Sequence, residues 1–274
     1  MVGVAYLVMR LMGQADQLLL AGIPGAVWWL AGGLSLLYAA SNGFLARAWW
    51  VLLCHQRAVL GRPDAVRIYG MSQLAKYVPG NLFHLVGRQA LGLAHGVPGR
   101  ALAQSAGWEM LSLATGASLF SAWLLQLVWP VWQLEFGAVL FFAGLVAFAT
   151  GASHFGSAQL ARAFLWHVLF LSATGGMFVA TFAALSEQTV PLYSLPVLGA
   201  AYVLAWLVGL VTPGAPAGLG VREAALVLML EGGAFAPAGL LLAVLVMRCV
   251  TVVGDLIFFG LAWRWPAVGS SGPR

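Results

Sequence analysis

The stretch Phe164-Leu-Trp-His-Val-Leu-Phe-Leu-Ser-Ala-Thr-Gly-Gly-Met-Phe-Val-Ala-Thr-Phe-Ala-Ala-Leu185 runs for 22 residues without one Asp, Glu, Lys or Arg. A helix needs roughly 20 predominantly apolar residues to cross a hydrocarbon core about 30 Å thick. Lipid offers no hydrogen bonds to the backbone, so only helices and closed barrels can span it. Barrel strands alternate polar and apolar residues, whereas this run is continuous, and a helix follows. Working outward, predominantly apolar runs of spanning length, each with one or two charged residues, cover Trp28 to Leu53, Leu102 to Val128, Val131 to Thr150 and Ala238 to Trp263. Of the 274 residues 62% are hydrophobic and 8% charged, and the mean hydropathy is +0.92. Ordinary soluble domains carry about 25% charged residues. The fold class predicted is therefore all-α, a polytopic transmembrane bundle forming one integral membrane domain over residues 1–274.

Charge sets the orientation. Lys and Arg outnumber Asp and Glu by 13 to 8, a net charge of +5. Arg47, Arg57, Arg62 and Arg67 follow the Trp28 to Leu53 run, which places that end on the cytoplasmic face. Leu102 to Val128 then runs outward to Trp129, Pro130 and Trp132. Val131 to Thr150 returns to His154 and Arg162, Phe164 to Leu185 leads out to Glu187, and Ala238 to Trp263 comes back to Arg264, so the C-terminus is expected in the cytoplasm. The N-terminal run, Met1 to Leu20, carries Arg10, Gln14, Asp16 and Gln17 and is short for a span; counted in, it makes six full crossings. It has no signal-peptide cleavage pattern and leads straight into further membrane segments. Nucleic acid is excluded as a partner, since no basic cluster with interleaved aromatics and no helix-turn-helix or zinc-finger spacing occurs. Cys54 and Cys249, far apart and within apolar runs, are expected to be buried, inert thiols.

Two apolar stretches, Tyr69 to His95 and Leu195 to Leu230, are interrupted by turn residues. The first breaks at Pro79 and Gly80, the second at Pro213, Gly214, Pro216, Gly218 and Gly220. Proline removes a backbone donor and clashes with the preceding turn, so a helix stops or kinks there. Aligned on the breaks, Val78-Pro-Gly-Asn-Leu-Phe-His-Leu-Val-Gly-Arg88 lies over Thr212-Pro-Gly-Ala-Pro-Ala-Gly-Leu-Gly-Val-Arg222. Both Pro79 with Pro213 and Arg88 with Arg222 stand 134 residues apart. The same offset pairs an inward-running span with an outward-running one, which predicts inverted repeats over 26–130 and 160–264. On that reading the broken stretches are re-entrant hairpins from opposite faces whose breaks meet near mid-membrane. Full crossings by both arms of the second hairpin preserve the same parity.

Charge within a bilayer is costly, so each intramembrane ionisable residue needs a reason. Arg88 and Arg222 each follow a break by nine residues. Glu109 sits two turns into a span. Arg248 and Asp255 are seven apart on one helical face, with Thr251 between them. A helix starting after a Pro-Gly break offers free backbone N–H groups and the positive dipole end, an anion site. Arginine adds a planar, bidentate donor for phosphate. The candidate headgroup contacts are therefore Arg88, Arg222 and Arg248, with Glu109, Glu223 and Asp255 balancing them in the absence of a headgroup. Asn81 and His84, just after the first break, join the set. The plainer alternative makes Arg222 and Glu223 interfacial anchors and Arg248 with Asp255 a structural pair. Lys76 and Tyr77 read as snorkelling or belt residues. His84, His95, His154 and His167 lack metal-ligand spacing, and neither metal nor cofactor is expected. Gly151-Ala-Ser-His-Phe-Gly156 is not a nucleophile elbow, no P-loop occurs, and Glu135 and Glu187 are isolated acids, so no enzyme is predicted.

Lys76-Tyr-Val-Pro-Gly-Asn-Leu-Phe-His-Leu-Val-Gly-Arg88, Pro213-Gly-Ala-Pro-Ala-Gly-Leu-Gly-Val-Arg-Glu-Ala224, the Arg248 to Asp255 segment and Arg47-Ala-Trp-Trp50 resemble the lysylphosphatidylglycerol synthase transmembrane-region family, the flippase module of multiple peptide resistance factors. The resemblance covers nearly the whole chain and is most specific at Gly218-Leu-Gly-Val-Arg-Glu223. It implies an inner-membrane module that binds lipid headgroups and moves them between leaflets. The partners implied are membrane lipids or polyprenyl-linked intermediates, and membrane biosynthetic enzymes of the envelope. A non-transporting partner of such enzymes is the alternative function. The chain departs from the family at Ala217, where a glycine is usual, at Phe83, where Trp is common, and in its short first span. It lacks the soluble aminoacyl-transferase domain, so synthesis of a lysyl-lipid is not expected.

Overall fold

The computed structural model describes residues 25–78, 83–128, 134–186, 191–212, 218, 220–230, 235 and 237–264. Pro79, Gly80, Asn81, Pro213, Gly214 and the expected first span lie outside them, as do Trp129, Pro130, Trp132 and Glu187. The described residues form helices joined by short turns, and no strand occurs among them. In order they are α1 (Gly25–His55), α2 (Arg62–Gln73) continued by a 3-10 turn (Leu74–Tyr77), α3 (Phe83–Ala94), α4 (Gly99–Leu119), α5 (Ser121–Val128) and α6 (Leu134–Gly151), which ends in a π turn (Ala152–Gly156). Then come α7 (Ala158–Leu185), a 3-10 turn (Leu192–Ser194), α8 (Leu195–Val211), α9 (Val221–Leu230) and α10 (Pro237–Arg264).

Among the described residues five helical stretches are long and apolar enough to cross a membrane: Gly99–Leu127, Glu135–His154, Ala158–Leu185, Leu192–Val211 and Gly239–Arg264. The chain is thus an all-α integral membrane bundle. Helix α1 has the length, 31 residues, about 46 Å at 1.5 Å per residue. It falls short in hydropathy because its inner face carries Ser35, Ser41 and Asn42, all buried. Outward faces are apolar, as lipid permits: Trp29, Val139, Phe142 and Val146 are exposed, and α6 lies at the periphery with 11% of its apolar window buried.

The core runs along α1 and α7, which pack on each other, with α10 beside α1 and α4 beside α7. In this core Phe170 and Phe178 on α7 meet Tyr38 on α1 and Tyr202 on α8, and Phe164 meets Phe148 on α6. Close helix approach uses glycine. A Cβ on Gly175 would lie 3.1 Å from the Gly199 carbonyl oxygen, and one on Gly70 would collide with the Cβ of Ala262. Cys54 and Cys249 are both exposed on the bundle surface, contrary to the buried thiols expected. The apolar runs that hold them are buried on one side only, and these two positions face the other.

Both broken stretches fold as helical hairpins. Gly87 on α3 lies beside Ser72 on α2, and Gly209 on α8 beside Arg222 on α9. Each first arm stops at the residue before a proline: Val78 has ψ 135° and Thr212 ψ 113°. The ring of a following proline disfavours the helical conformation there, which forces the extended one. The arms are unequal. Helices α3 and α9, of 12 and 10 residues, rise only about 18 and 15 Å, half the core. By contrast Leu192–Val211 is long enough to cross, so the second hairpin is not the pair of half-helices expected.

Shifting by 134 residues carries α1 onto α7, α2 onto α8, α3 onto α9, and α4 with α5 onto α10, each within a few residues at both ends. Packing follows the same correspondence: α1 with α10 mirrors α7 with α4, and α1 with α2 mirrors α7 with α8. Helix α6, shifted back by the same 134 residues, falls on the start of the chain, outside the described residues.

Candidate functional site

Where the hairpins face α1, α4, α7 and α10, the bundle encloses a cavity of about 70 Å³ lined by Tyr38, Tyr69, Gln73, Lys76, Tyr77, His84, Glu109, Arg222, Arg248 and Thr251. That is far below the 300–1,000 Å³ typical of small-molecule pockets. It has room for a small polar group and not for a whole drug-sized ligand.

Among the described residues three ion pairs stand at the cavity, each joining different elements and each with one partner in the lining. Arg88 of α3 grips Glu109 of α4: Nη1 donates to Oε1 at 3.1 Å and Nη2 lies 2.9 Å from Oε2. The two are 2% and 1% exposed. The Arg88 guanidinium sits 4.3 Å from the Tyr69 ring centre and 5.4 Å from that of Trp49. The Tyr69 hydroxyl donates to Glu109 Oε1 at 2.9 Å, and Trp49 Nε1 donates to Ser105 at 3.2 Å. A planar fork between ring faces is what arginine provides and lysine does not.

Asp255 of α10, fully buried, is the second centre. Its Oδ2 accepts from the Tyr77 hydroxyl at 2.6 Å and lies 2.7 Å from Lys76 Nζ. Its Oδ1 accepts from Asn42 at 3.1 Å, and Asn42 in turn accepts from Gln73 at 3.1 Å. The third pair is Arg248 of α10 with Glu223 of α9, Nη2 to Oε1 3.3 Å. Thr251 donates to the Arg248 carbonyl at 3.0 Å, one turn along.

Several sequence expectations change here. Arg248 and Asp255 share a helix but do not pair; each finds its partner on a hairpin, because inward-facing groups at this depth meet other helices rather than their own next turns. Lys76 and Tyr77 are not belt residues but the ligands of Asp255. Glu223, 5% exposed, is an inner residue and not an interfacial anchor. His84 lines the cavity. Arg222 sits in the first turn of α9 and lines the cavity. The turn before it depends on glycine: Gly218 and Gly220 have φ of +71° and +79°, a region other residues rarely occupy. A Cβ on Gly218 would stand 2.9 Å from the Cα of Gly209.

Tyr38, Asn42, Tyr69 and Gln73 escaped the sequence reading. Asn42 was the one with a visible signal, an amide in the middle of an apolar run. Near this cluster His167 Nδ1 lies 2.7 Å from Ser112 Oγ, both buried. Ser112 also borders a separate, apolar cavity of about 430 Å³ with Trp108, Phe148 and Leu160. Among protein-family models, curated proteins and solved structures, none matches the chain.

Proposed function

We propose that the chain is a translocator of a membrane lipid or lipid-linked intermediate, which receives an anionic, phosphate-bearing headgroup in the cavity between the two hairpins. The observation that carries this reading is the set of buried ion pairs surrounding a cavity inside an otherwise apolar bundle. Burying ion pairs is rarely a gain in stability over apolar packing, so their presence at membrane depth argues for a transported charge. Arg222 and Arg248 take the phosphate, Arg88 with Glu109 fixes α3 against α4, and Asp255 holds the end of the first hairpin until the headgroup enters. The resemblance to the lysylphosphatidylglycerol synthase transmembrane-region family supports the same reading.

The membrane is proposed to be the bacterial inner membrane, with the C-terminus in the cytoplasm. Arg57, Arg62, Arg100, Arg162 and Arg264 stand at successive helix ends that alternation brings to one side, which the positive-inside bias makes cytoplasmic. Reconstitution into liposomes carrying headgroup- or tail-labelled fluorescent lipids, with dithionite quenching of the outer leaflet, tests the proposal. The intact chain is expected to expose inner-leaflet label, and Arg222→Ala to slow it about tenfold or more. If no lipid class moves, translocation is wrong, and a non-transporting role beside a biosynthetic enzyme takes its place.

A further inference from the structure

Arg47 stands on the face of α1 turned away from the cavity. Leu45 lines the cavity and Trp49 is buried. Arg47 is two residues from each, which at 3.6 residues per turn is about 200° around the helix. Phe44, Arg47 and Trp50 are half-buried and Cys54 is exposed, so they form the outer stripe of α1. Helix α7 borders this stripe, with the Trp166 ring stacked on Phe44 at 5.6 Å. The Arg47 guanidinium lies 5.5 Å from the Trp50 ring centre and 5.6 Å from that of Trp166. Its Nε is buried without a hydrogen bond. Among the described residues no carboxylate pairs with it: Glu109, Glu223 and Asp255 have cations of their own, and Asp64 and Glu135 stand in the first turns of α2 and α6.

We infer that Arg47, Trp50 and Trp166 form an outer lipid site, which holds the phosphate of a glycerophospholipid in the leaflet at the His55 end of α1. Depth fits this ligand. Arg47 stands eight residues before His55 and Trp166 eight after Ala158, so both lie about 12 Å in from neighbouring helix ends. Helix α1, with 31 residues, overhangs a 30 Å core by about 8 Å at each end when centred, which puts the Arg47 backbone about 4 Å below the core's edge. An arginine stem covers that distance and brings the guanidinium to the headgroups. A cation without a counter-charge at this depth is costly, and the anions that a bilayer supplies there are phosphates. The ring faces of Trp50 and Trp166 hold the planar group by cation–π contact, and its N–H fork can meet two phosphate oxygens. Helices α1 and α7 pack on each other along the core, so the site has a fixed shape. It shares no lining residue with the cavity, and it holds a resident lipid whether or not the chain moves others.

The test is lipid retention by the purified, delipidated full chain in detergent, read by native mass spectrometry. Every sample carries Arg222→Ala, which disables the headgroup site proposed in the cavity and leaves the outer one to be counted. The probes are phosphatidylglycerol, phosphatidylcholine and diacylglycerol at equal concentration, with dimethyl phosphate as a water-soluble phosphodiester. Both phospholipids are expected to be retained about tenfold or more over diacylglycerol. Adding Arg47→Gln is expected to remove that preference, and adding Arg47→Lys to keep part of it, because the charge stays and the planar fork goes. Equal retention of diacylglycerol overturns the inference, as does an unchanged preference when Arg47→Gln is added and the chain remains folded in an SDS titration. Displacement of phosphatidylglycerol by dimethyl phosphate at equal concentration overturns the assignment to a lipid. Asp16→Asn is expected to change nothing; a rise in retention there makes Asp16 the counter-charge of Arg47 and overturns the inference too. Loss of the outer lipid leaves translocation to its own assay, and failure of transport in liposomes leaves the outer site standing.

Discussion

Replacing Asp255 by Asn removes one charge and keeps the shape, which makes it the sharpest probe of the cluster. In the folded chain Asp255 takes a 2.7 Å contact from Lys76, a 2.6 Å hydrogen bond from Tyr77 and a 3.1 Å hydrogen bond from Asn42. An amide offers one acceptor oxygen in place of two and brings a donor that faces Lys76 or Asn42. The Lys76 ammonium then stands in a largely apolar surrounding without its counter-charge. Breaking a buried pair from one side costs about 3–5 kcal/mol. Lys76 has a side chain 19% exposed, which lets water recover part of the loss and places the expectation near the lower figure, about 3 kcal/mol. Unfolding in mixed micelles titrated with SDS measures it. Lys76→Met is expected to cost a similar amount, by leaving the carboxylate alone. The double variant removes both charges, so its cost is expected to fall below the sum of the two single costs by about 2 kcal/mol, within the coupling range found for paired residues. Single costs that add to within about 0.5 kcal/mol would refute the pairing and the role given to Asp255.

Arg88→Lys keeps the charge but loses the two-oxygen grip on Glu109 and the stacking on Tyr69 and Trp49; a loss of about 1.5–3 kcal/mol in the same SDS titration is expected. Gly218→Ala meets both a φ of +71° and the Gly209 backbone 2.9 Å away; it is expected to cost more than the roughly 1 kcal/mol of a left-handed alanine alone, and lipid binding should fall with it because Arg222 moves. Gly70→Ala is expected to cost about 1–3 kcal/mol by overpacking, with recovery on adding Ala262→Gly, whose missing methyl is the one in the way.

The fold was readable because the solvent is lipid. Predominantly apolar runs of spanning length must be helices there, and residues preceding proline must leave the helix, so Val78 and Thr212 could be placed as helix ends from sequence. The 134-residue offset read from two short motifs also holds for the helix boundaries. The inner charges were legible as a set, because each violates the solvent rule on its own. Their pairing was not. Helical periodicity brings Arg248 and Asp255 to one face, yet which cation reaches a carboxylate depends on the depth and rotation of neighbouring helices, and neither is written in one helix's spacing. Lys76 was misread for the same reason: an amine after an apolar run belongs at the interface only when that run crosses, and α2 with its 3-10 turn ends inside, against α10. Cys54 and Cys249 show the reverse error, since in lipid an apolar residue has no reason to face inward.

The two halves carry their charges differently, and the difference bears on which part can move. The α3 to α4 contact is tied by Arg88 on the hairpin and Glu109 on the span; the matching α9 to α10 contact is tied by Glu223 on the hairpin and Arg248 on the span. The sign is reversed, so the two bridges are not copies of one ancestral pair, although they tie matching helices. Residues 134 further on from Lys76 and back from Asp255 are Leu210 and Ser121, so the Lys76 to Asp255 bridge has no counterpart in the other half. Among the described residues the first hairpin is therefore held by two ion pairs, one of them to the opposite half, and the second hairpin by one. The cation without a carboxylate, Arg222, belongs to that second hairpin. Under the proposed function, a headgroup bound there would compete with the Glu223 to Arg248 pair, 3.3 Å long, while release of the first hairpin would require giving up the 2.7 Å contact at Asp255 as well. If the proposed translocation holds, two hairpins tied this unequally are expected to move in turn, the second hairpin first and the first hairpin after it.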